Sequence, residues 1–181
     1  MSGPRRPAVF LDRDGVLVRA KVVDGRPYAI RSVAELELEL GASDACRALH
    51  DAGFVLVVVT NQPEIARGTL TQAAVTEIHE RLGELLPVDD IVTCPHDDAD
   101  GCKCRKPRPG MLLDAAARLG IDLQASFVIG DRWRDVEAGR RAGCTTVFLD
   151  RKYSEPVPDR PDTNVRDLHN AVSWILAEAV Q

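Results

Sequence analysis

Ala8-Val9-Phe10-Leu11-Asp12-Arg13-Asp14-Gly15 is the stretch from which the rest of the chain can be read. Its apolar residues suit a strand buried on both faces, and two carboxylates leave the C-terminal end of that strand. Charge at such a point is expected at the crevice of an open parallel sheet, where these folds place their ligands. The spacing suits a division of labour. One carboxylate can attack a phosphorus atom and form an aspartyl phosphate, while the second moves the proton for the leaving group and then for water. A strand ending in solvated acids within a turn gives the same pattern, so later segments have to decide.

Phe54-Val55-Leu56-Val57-Val58-Val59 is a second unbroken apolar run, largely β-branched, and it too ends in polar groups, Thr60-Asn61. Lys106 lies in Cys104-Arg105-Lys106-Pro107-Arg108-Pro109-Gly110, where two prolines hold an extended chain ahead of a helical pattern. A lysine there can neutralise a phosphoryl oxygen. Phe127-Val128-Ile129-Gly130-Asp131 is a third strand exit, with Asp135 following at helical spacing, and such acids can hold a hard divalent cation. Taken singly, Thr60, Lys106 and Asp131 read as ordinary surface residues. Their order and types after Asp12 and Asp14 favour phosphoryl transfer.

Strand and helix patterns alternate without internal repeats from about residue 8 to 150. Ser43 can cap a helix with Ala45, Cys46, Leu49 and Ala52 on one face, stopped by Gly53. Thr71 begins another, with Val75, Ile78, Leu82 and Leu85 on one face and Pro87 at its end. A short strand near Ile91-Val92, a helix using Leu112, Leu113, Ala116 and Leu119, and a helix from Val136 to Ala142 follow, with Thr145 to Leu149 as the last strand. The order predicts an α/β fold: a three-layer sandwich with a mostly parallel, Rossmann-like sheet and right-handed crossovers. Residues Arg151 to Thr163 are expected to be irregular. Leu168, Val172, Ile175, Leu176 and Val180 predict an amphipathic helix, about 167 to 180, packed on the sheet; a partner-binding helix is the alternative. We therefore expect a single domain over 1–181. The segment from Gly15 to Ser43 reads as loop, and neither it nor the stretch from Thr60 to Lys106 has room for a separate cap domain.

Cys94-Pro95-His96 and Cys102-Lys103-Cys104 offer three thiolates and an imidazole, a closed tetrahedral set that indicates a small structural zinc-binding loop. The intervening Asp97-Asp98-Ala99-Asp100-Gly101 cannot bury apolar surface, so something other than a core must order it. Free thiols, or a disulfide between two of them, are the alternatives. Cys46, on an apolar helical face, and Cys144, just before a strand, read as core.

These motifs resemble those of the haloacid dehalogenase (HAD) superfamily of phosphatases, from about Ala8 to Leu149. The resemblance implies Asp12 as nucleophile, Asp14 as general acid/base, Thr60 as the phosphoryl-binding hydroxyl and Lys106 as the phosphoryl-stabilising lysine. It also implies a magnesium ion held by Asp12 and Asp131 side chains and the Asp14 backbone carbonyl; Asp135 either helps or only caps the next helix. The Cys/His set before Lys106, Thr60-Asn61-Gln62, Ile65-Ala66-Arg67-Gly68 and Arg105-Lys106-Pro107-Arg108-Pro109-Gly110-Met111 resemble the branch of heptose bisphosphate and histidinol-phosphate phosphatases. This implies Asn61, Gln62 and Arg105 as substrate-binding residues, with Arg67 and Arg108 as further candidates and Arg132 and Trp133 as possible contacts. The segment from Arg19 to Tyr28 is expected to help set specificity. Pro63-Glu64 and Val18-Arg19-Ala20 depart from the branch's pattern, and both fall in loops that would touch substrate.

The expected substrate is a small sugar phosphate, D-glycero-D-manno-heptose 1,7-bisphosphate before histidinol phosphate, with a nucleic-acid 3′-phosphate less favoured. A non-catalytic phosphate- or metal-binding module with the same fold is the rival class, and retention of both Asp12 and Asp14 argues against it. A net charge of −5 disfavours nucleic acid as main partner. No apolar run approaches the ~20 residues a bilayer span requires, and Met1-Ser2-Gly3-Pro4-Arg5-Arg6-Pro7 lacks a secretory h-region, so a cytoplasmic monomer without a membrane partner is expected.

Overall fold

The computed structural model describes residues 5–180. Six strands form one sheet in the order β5-β4-β1-β6-β7-β8: β1 (Ala8–Leu11), β4 (Val55–Asn61), β5 (Asp90–Cys94), β6 (Phe127–Gly130), β7 (Thr145–Leu149) and β8 (Thr163–Val165). Every pairing in it is parallel. Leu11 is opposite Val58 on one side and Ile129 on the other, so β1 is central. The chain builds outward from β1 through β4 to β5, then returns to build β6, β7 and β8 on the other side. β1 is therefore the switch point of the sheet, and its carboxyl end opens the crevice where ligands bind.

The two-residue period of a strand divides the core. Val9, Leu11, Leu56, Val58, Ile129 and Val147 face α1 (Ala42–Asp51), α2 (Gln72–Leu85) and α5 (Leu168–Glu178). Ala8, Phe10, Val55, Val57 and Val128 face α3 (Gly110–Leu119) and α4 (Trp133–Ala142). Full burial of Phe10 and Leu11 stabilises the fold by about 1.5–3 kcal/mol each. This is the expected three-layer sandwich.

Several local expectations need correction. Lys21–Val23 (β2) and Arg26–Tyr28 (β3) form an antiparallel hairpin where a loop was expected. Asp24 (φ 50°) and Gly25 (φ 73°) supply the two left-handed residues that such a turn needs. Helix α1 starts after Gly41, not Ser43, because the left-handed glycine (φ 81°) turns the chain; Ser43 is inside the helix and its Oγ accepts from Arg47. Thr71 does cap α2, accepting from the Ala74 N–H. In α3 the inner face carries Met111, Leu112, Ala115 and Ala116, whereas Leu113 is exposed. β8 extends the sheet beyond the irregular segment. Val180 points to solvent, past the end of α5. Among the described residues no helix is long and apolar enough to cross a membrane.

Candidate active site

Because all six strands run the same way, their ends deliver Asp12, Thr60 and Asp131 to one edge of the sheet. Two glycines permit the close approach. A Cβ on Gly15 (φ +87°) would lie 1.9 Å from Asp131 Oδ2, and one on Gly130 would lie 2.0 Å from the Asp135 Cβ. Arg151 Nε donates to the Gly15 carbonyl (2.9 Å) and pairs with Glu39, pinning the turn after β1.

Asp12, Asp131 and Asp135 are buried, and each offers a carboxylate oxygen within 4.8 Å of the others. Lys106 reaches into this group from the loop before α3. Its Nζ lies 2.9 Å from Asp12 Oδ1 and 2.6 Å from Asp135 Oδ1, and donates to the Val59 carbonyl at 2.8 Å. Burial works against the ammonium charge, but Asp12 and Asp135 outweigh it and raise the lysine pKa. Burial, then the charges of Asp12 and Asp135, push Asp131 well above the usual carboxylate range. Burial also raises Asp135, with Lys106 opposing. The Tyr153 hydroxyl is a neighbour of Asp131, but neither Asp131 oxygen receives a well-aligned hydrogen bond. Three carboxylates and one ammonium leave a formal charge of −2, and poorly satisfied acceptors in a buried site call for a divalent cation. The residues fit one.

Asp135 caps α4, with Oδ2 accepting from the Arg132 N–H (3.0 Å), and its carboxylate also lies in the acidic group with Asp12 and Asp131. The Asp14 carboxylate is not in the group. It is held by Arg13 and by Gln62 Nε2 (3.1 Å). Burial raises its pKa, against the pull of Arg13 and with the help of Asp12.

The two polar residues after Thr60 act on the machinery. Asn61 accepts the Lys106 N–H at Oδ1 and donates from Nδ2 to the Lys106 carbonyl, both at 3.1 Å, clamping the lysine backbone. Gln62 is fully buried, and its amide also donates to Thr60 Oγ1 (2.9 Å). It lies behind the cleft rather than in it, a correction to its reading as a substrate contact. Asn61 does line the cleft.

That cleft, about 300 Å³, is lined by Asp12, Asp14, Thr60 and Lys106 at its base and by Arg26, Arg67, Arg105, Arg132 and Arg134 around it. Arg105 Nε donates to Asp98 (2.8 Å), Arg134 lies 3.3 Å from the same carboxylate, and Arg67 is bidentate on Asp97 (2.6 and 2.8 Å). The Arg67 contact, through hydrogen bonding first, holds the Asp97 carboxyl down to about 2. Trp133 does not line the cleft; Arg134 stacks on it, 4.8 Å from the ring centroid. Arg108 turns away and donates to the Cys102 carbonyl. Arg19 pairs with exposed Glu37, outside the cleft. Of the Arg19 to Tyr28 segment, Arg26, Pro27 and Tyr28 line the cleft. Sequence reading missed Arg134 and Glu155; the last anchors Arg132 in a two-pronged pair (2.8 and 2.5 Å) from within the irregular segment, where no pattern singles it out.

Beside the cleft, Cys94, His96, Cys102 and Cys104 converge. Their sulfurs lie 3.2, 3.4 and 3.7 Å apart, and His96 Nδ1 is 3.3 Å from Cys104 Sγ and 3.6 Å from Cys94 Sγ. A tetrahedral ion with ~2.3 Å metal–sulfur bonds has edges of about 3.8 Å, so the donor set fits one after slight expansion. The cysteines form no disulfide. Burial raises the Cys94 thiol; Cys102, despite burial, is brought to about 7 by the Arg105 backbone and its neighbouring thiols.

The HAD-hydrolase-like family model matches residues 103–171. The D-glycero-beta-D-manno-heptose-1,7-bisphosphate 7-phosphatase of Yersinia pestis is 39% identical, over 94% of this chain and 89% of that protein. Its namesake from Rhodopseudomonas palustris is 40% identical over 78% and 82%. The crystal structure of D,D-heptose 1,7-bisphosphate phosphatase from B. bronchiseptica, complexed with magnesium and phosphate, superposes with a TM-score of 0.80 at 33% identity, covering 95% of this chain and 99% of that one. With that similarity spanning nearly the whole chain and the acidic cluster at the switch point of the sheet, the chain belongs to the HAD-like hydrolases, in the family of the heptose bisphosphate phosphatases.

Proposed function

We propose that the protein is a magnesium-dependent phosphomonoesterase that removes the C7 phosphate of D-glycero-beta-D-manno-heptose 1,7-bisphosphate through an aspartyl phosphate on Asp12. The observation that carries this reading is the 39% identity, over 94% of the chain, to a protein of that name. The cluster of Asp12, Lys106, Asp131 and Asp135 gives it a chemistry. Asp12 attacks phosphorus and the bond to the sugar oxygen breaks, while Asp14 gives that oxygen its proton. Asp14 then takes a proton from water, whose oxygen attacks phosphorus, and Asp12 is freed with orthophosphate. Lys106 and Thr60 hold phosphoryl oxygens, Asn61 and Gln62 hold Lys106 and Thr60, and positioning and charge neutralisation carry the rate. Asp12, Asp131 and the Asp14 carbonyl, with Asp135 beside them, would hold a magnesium ion, which would offset the repulsion between a carboxylate nucleophile and a phosphate dianion.

The rest of the substrate falls to Arg105, with Arg67 and Arg134, each oriented by an acid of the Cys/His loop. Zinc is the ion we assign to Cys94, His96, Cys102 and Cys104. Four protein ligands leave no place for water, so its role is to hold that loop. A second phosphate gains charge-assisted, two-pronged contacts from guanidinium groups that an amine-bearing ester cannot. Orthophosphate release from the heptose bisphosphate and from histidinol phosphate tests this. We expect kcat/KM to favour the bisphosphate by roughly 10- to 100-fold, the worth of one such contact at about 1.5–3 kcal/mol. Equal efficiency would overturn the substrate and leave the phosphatase.

A further inference from the structure

Arg13 stands between the two acids of Asp12-Arg13-Asp14, yet it is fully buried behind the cleft. Its Nε–H donates to Asp14 Oδ2 (3.0 Å), and Nη2 lies 2.9 Å from the same oxygen. Gln62 Nε2 donates to that oxygen as well (3.1 Å). Oδ1, by contrast, meets the Ile30 N–H at 3.4 Å. The two hydrogen bonds, from Arg13 Nε and Gln62 Nε2, use both lone pairs of Oδ2, with Nη2 beside it as a charge contact only, so the proton that Asp14 gives and takes rides on Oδ1.

The far end of the guanidinium fixes this choice. Arg13 Nη1 is 2.9 Å from His79 Nε2, on α2. A guanidinium only donates, so Nε2 accepts and the ring proton is on Nδ1, which faces Thr93 Oγ1 of β5 at 3.5 Å. Burial first, and the Arg13 charge next, lower the His79 pKa to about 4, which keeps the ring a neutral acceptor. Thr93, His79, Arg13 and Asp14 form one line from the sheet edge to the cleft. Sequence reading assigned nothing to the helix-borne His79 or to Arg13.

We propose that His79 is a positioning residue for the general acid: by accepting from Arg13 it holds the guanidinium on Asp14 Oδ2 and so presents a protonated Oδ1 to the departing oxygen. This rests on the phosphatase reading. Without the acceptor, a buried Arg13 N–H is orphaned at a cost of about 1–3 kcal/mol, and the guanidinium rotates to regain a partner. Asp14 then loses its fixed orientation, while Asp12, Lys106 and the phosphoryl pocket stay in place.

Leaving groups distinguish this role from a structural one. A sugar alkoxide needs a proton to depart; p-nitrophenolate does not. In kcat/KM, which reports the steps through transfer to Asp12, His79→Leu is expected to lower turnover of the heptose bisphosphate roughly 10- to 100-fold. p-Nitrophenyl phosphate should change less than about threefold, and the KM of the sugar phosphate should move little. His79→Gln, whose amide oxygen can accept from Arg13, should recover most of the loss. Should His79→Leu melt below the assay temperature, His79→Asn, polar but too short to reach Arg13, takes its place with the same expectation. An unchanged ratio of the two esters, or an equal loss on both that glutamine does not repair, would overturn the inference alone. A wild-type protein inert on both esters would overturn it together with the phosphatase reading.

Discussion

Among the described residues Lys106 is the one side-chain cation paired with the buried acidic cluster, which makes Lys106→Met a direct measure of what that charge does. Methionine keeps the aliphatic stem in its space and removes the ammonium that lies 2.9 Å from Asp12 and 2.6 Å from Asp135. Three carboxylates with oxygens within 4.8 Å of one another then face each other uncompensated. At an effective dielectric constant of about 20, one such pair repels by about 3.5 kcal/mol. Protonation of Asp131 or Asp135, whose pKa values are already raised, relieves part of it. Breaking a buried charge set by removing one member costs about 3–5 kcal/mol. In a chain of 181 residues that is a fall in Tm of about 6–20 °C. The assay is calorimetric unfolding in chelator at neutral pH. Saturating magnesium should narrow the gap, because the ammonium and a divalent cation compete for the same carboxylates and the variant binds the ion more tightly. A metal-free variant melting within about 2 °C of wild type would refute the reasoning.

Asp12→Asn should abolish orthophosphate release by about 10⁴-fold or more, since an amide is neither the nucleophile nor a good magnesium ligand; near-wild-type rates would exclude the aspartyl phosphate. Elemental analysis should find about one zinc per chain, and Cys102→Ser should lower Tm and raise KM more than it lowers kcat. Protein made with zinc available but containing none would exclude the assignment. The gain in Tm from magnesium should be small near pH 5 and grow toward pH 7.5. Asp131 and Asp135 hold protons in the metal-free fold above their ordinary pKa of about 3.9, so acid competes with the ion. His79, held at about 4 against about 6.5 unfolded, adds a rise of stability with pH that both states share and the difference removes. A magnesium gain that shrinks as pH rises would contradict the acidic site.

What the sequence discloses and what it hides follow from range. β1, β4 and β6 are legible because strands buried on both faces must be apolar throughout, and the residue at each exit is then conspicuous. The Asp24-Gly25 hairpin carries its own turn signal between short runs that are hardly hydrophobic, and it reads as loop unless the dipeptide is given weight. β8 is three residues at the sheet edge, too short for a period to register. Gln62 and Asn61 are harder in kind. Their types suit contact with substrate or with neighbouring side chains equally, and only the placement of Lys106 and Asp14 across 45 and 48 residues decides between them.

The Cys/His loop joins two properties that look unrelated in sequence, a metal-ligand set and a run of acids. Asp97 and Asp98 cannot order the loop by burial, and side by side on an acidic protein they repel. Placed against Arg67, Arg105 and Arg134 they instead spread guanidinium groups around the cleft, where the phosphoryl site alone has Lys106. Such pairs are half-exposed and hold little stability of their own. Their geometry must come from whatever fixes the backbone of residues 94 to 104, and the four convergent donors are the group in that stretch able to do so. A structural ion would thereby act on substrate affinity at second hand, through acids that aim arginines, while the phosphoryl chemistry proposed for Asp12 would proceed beside it.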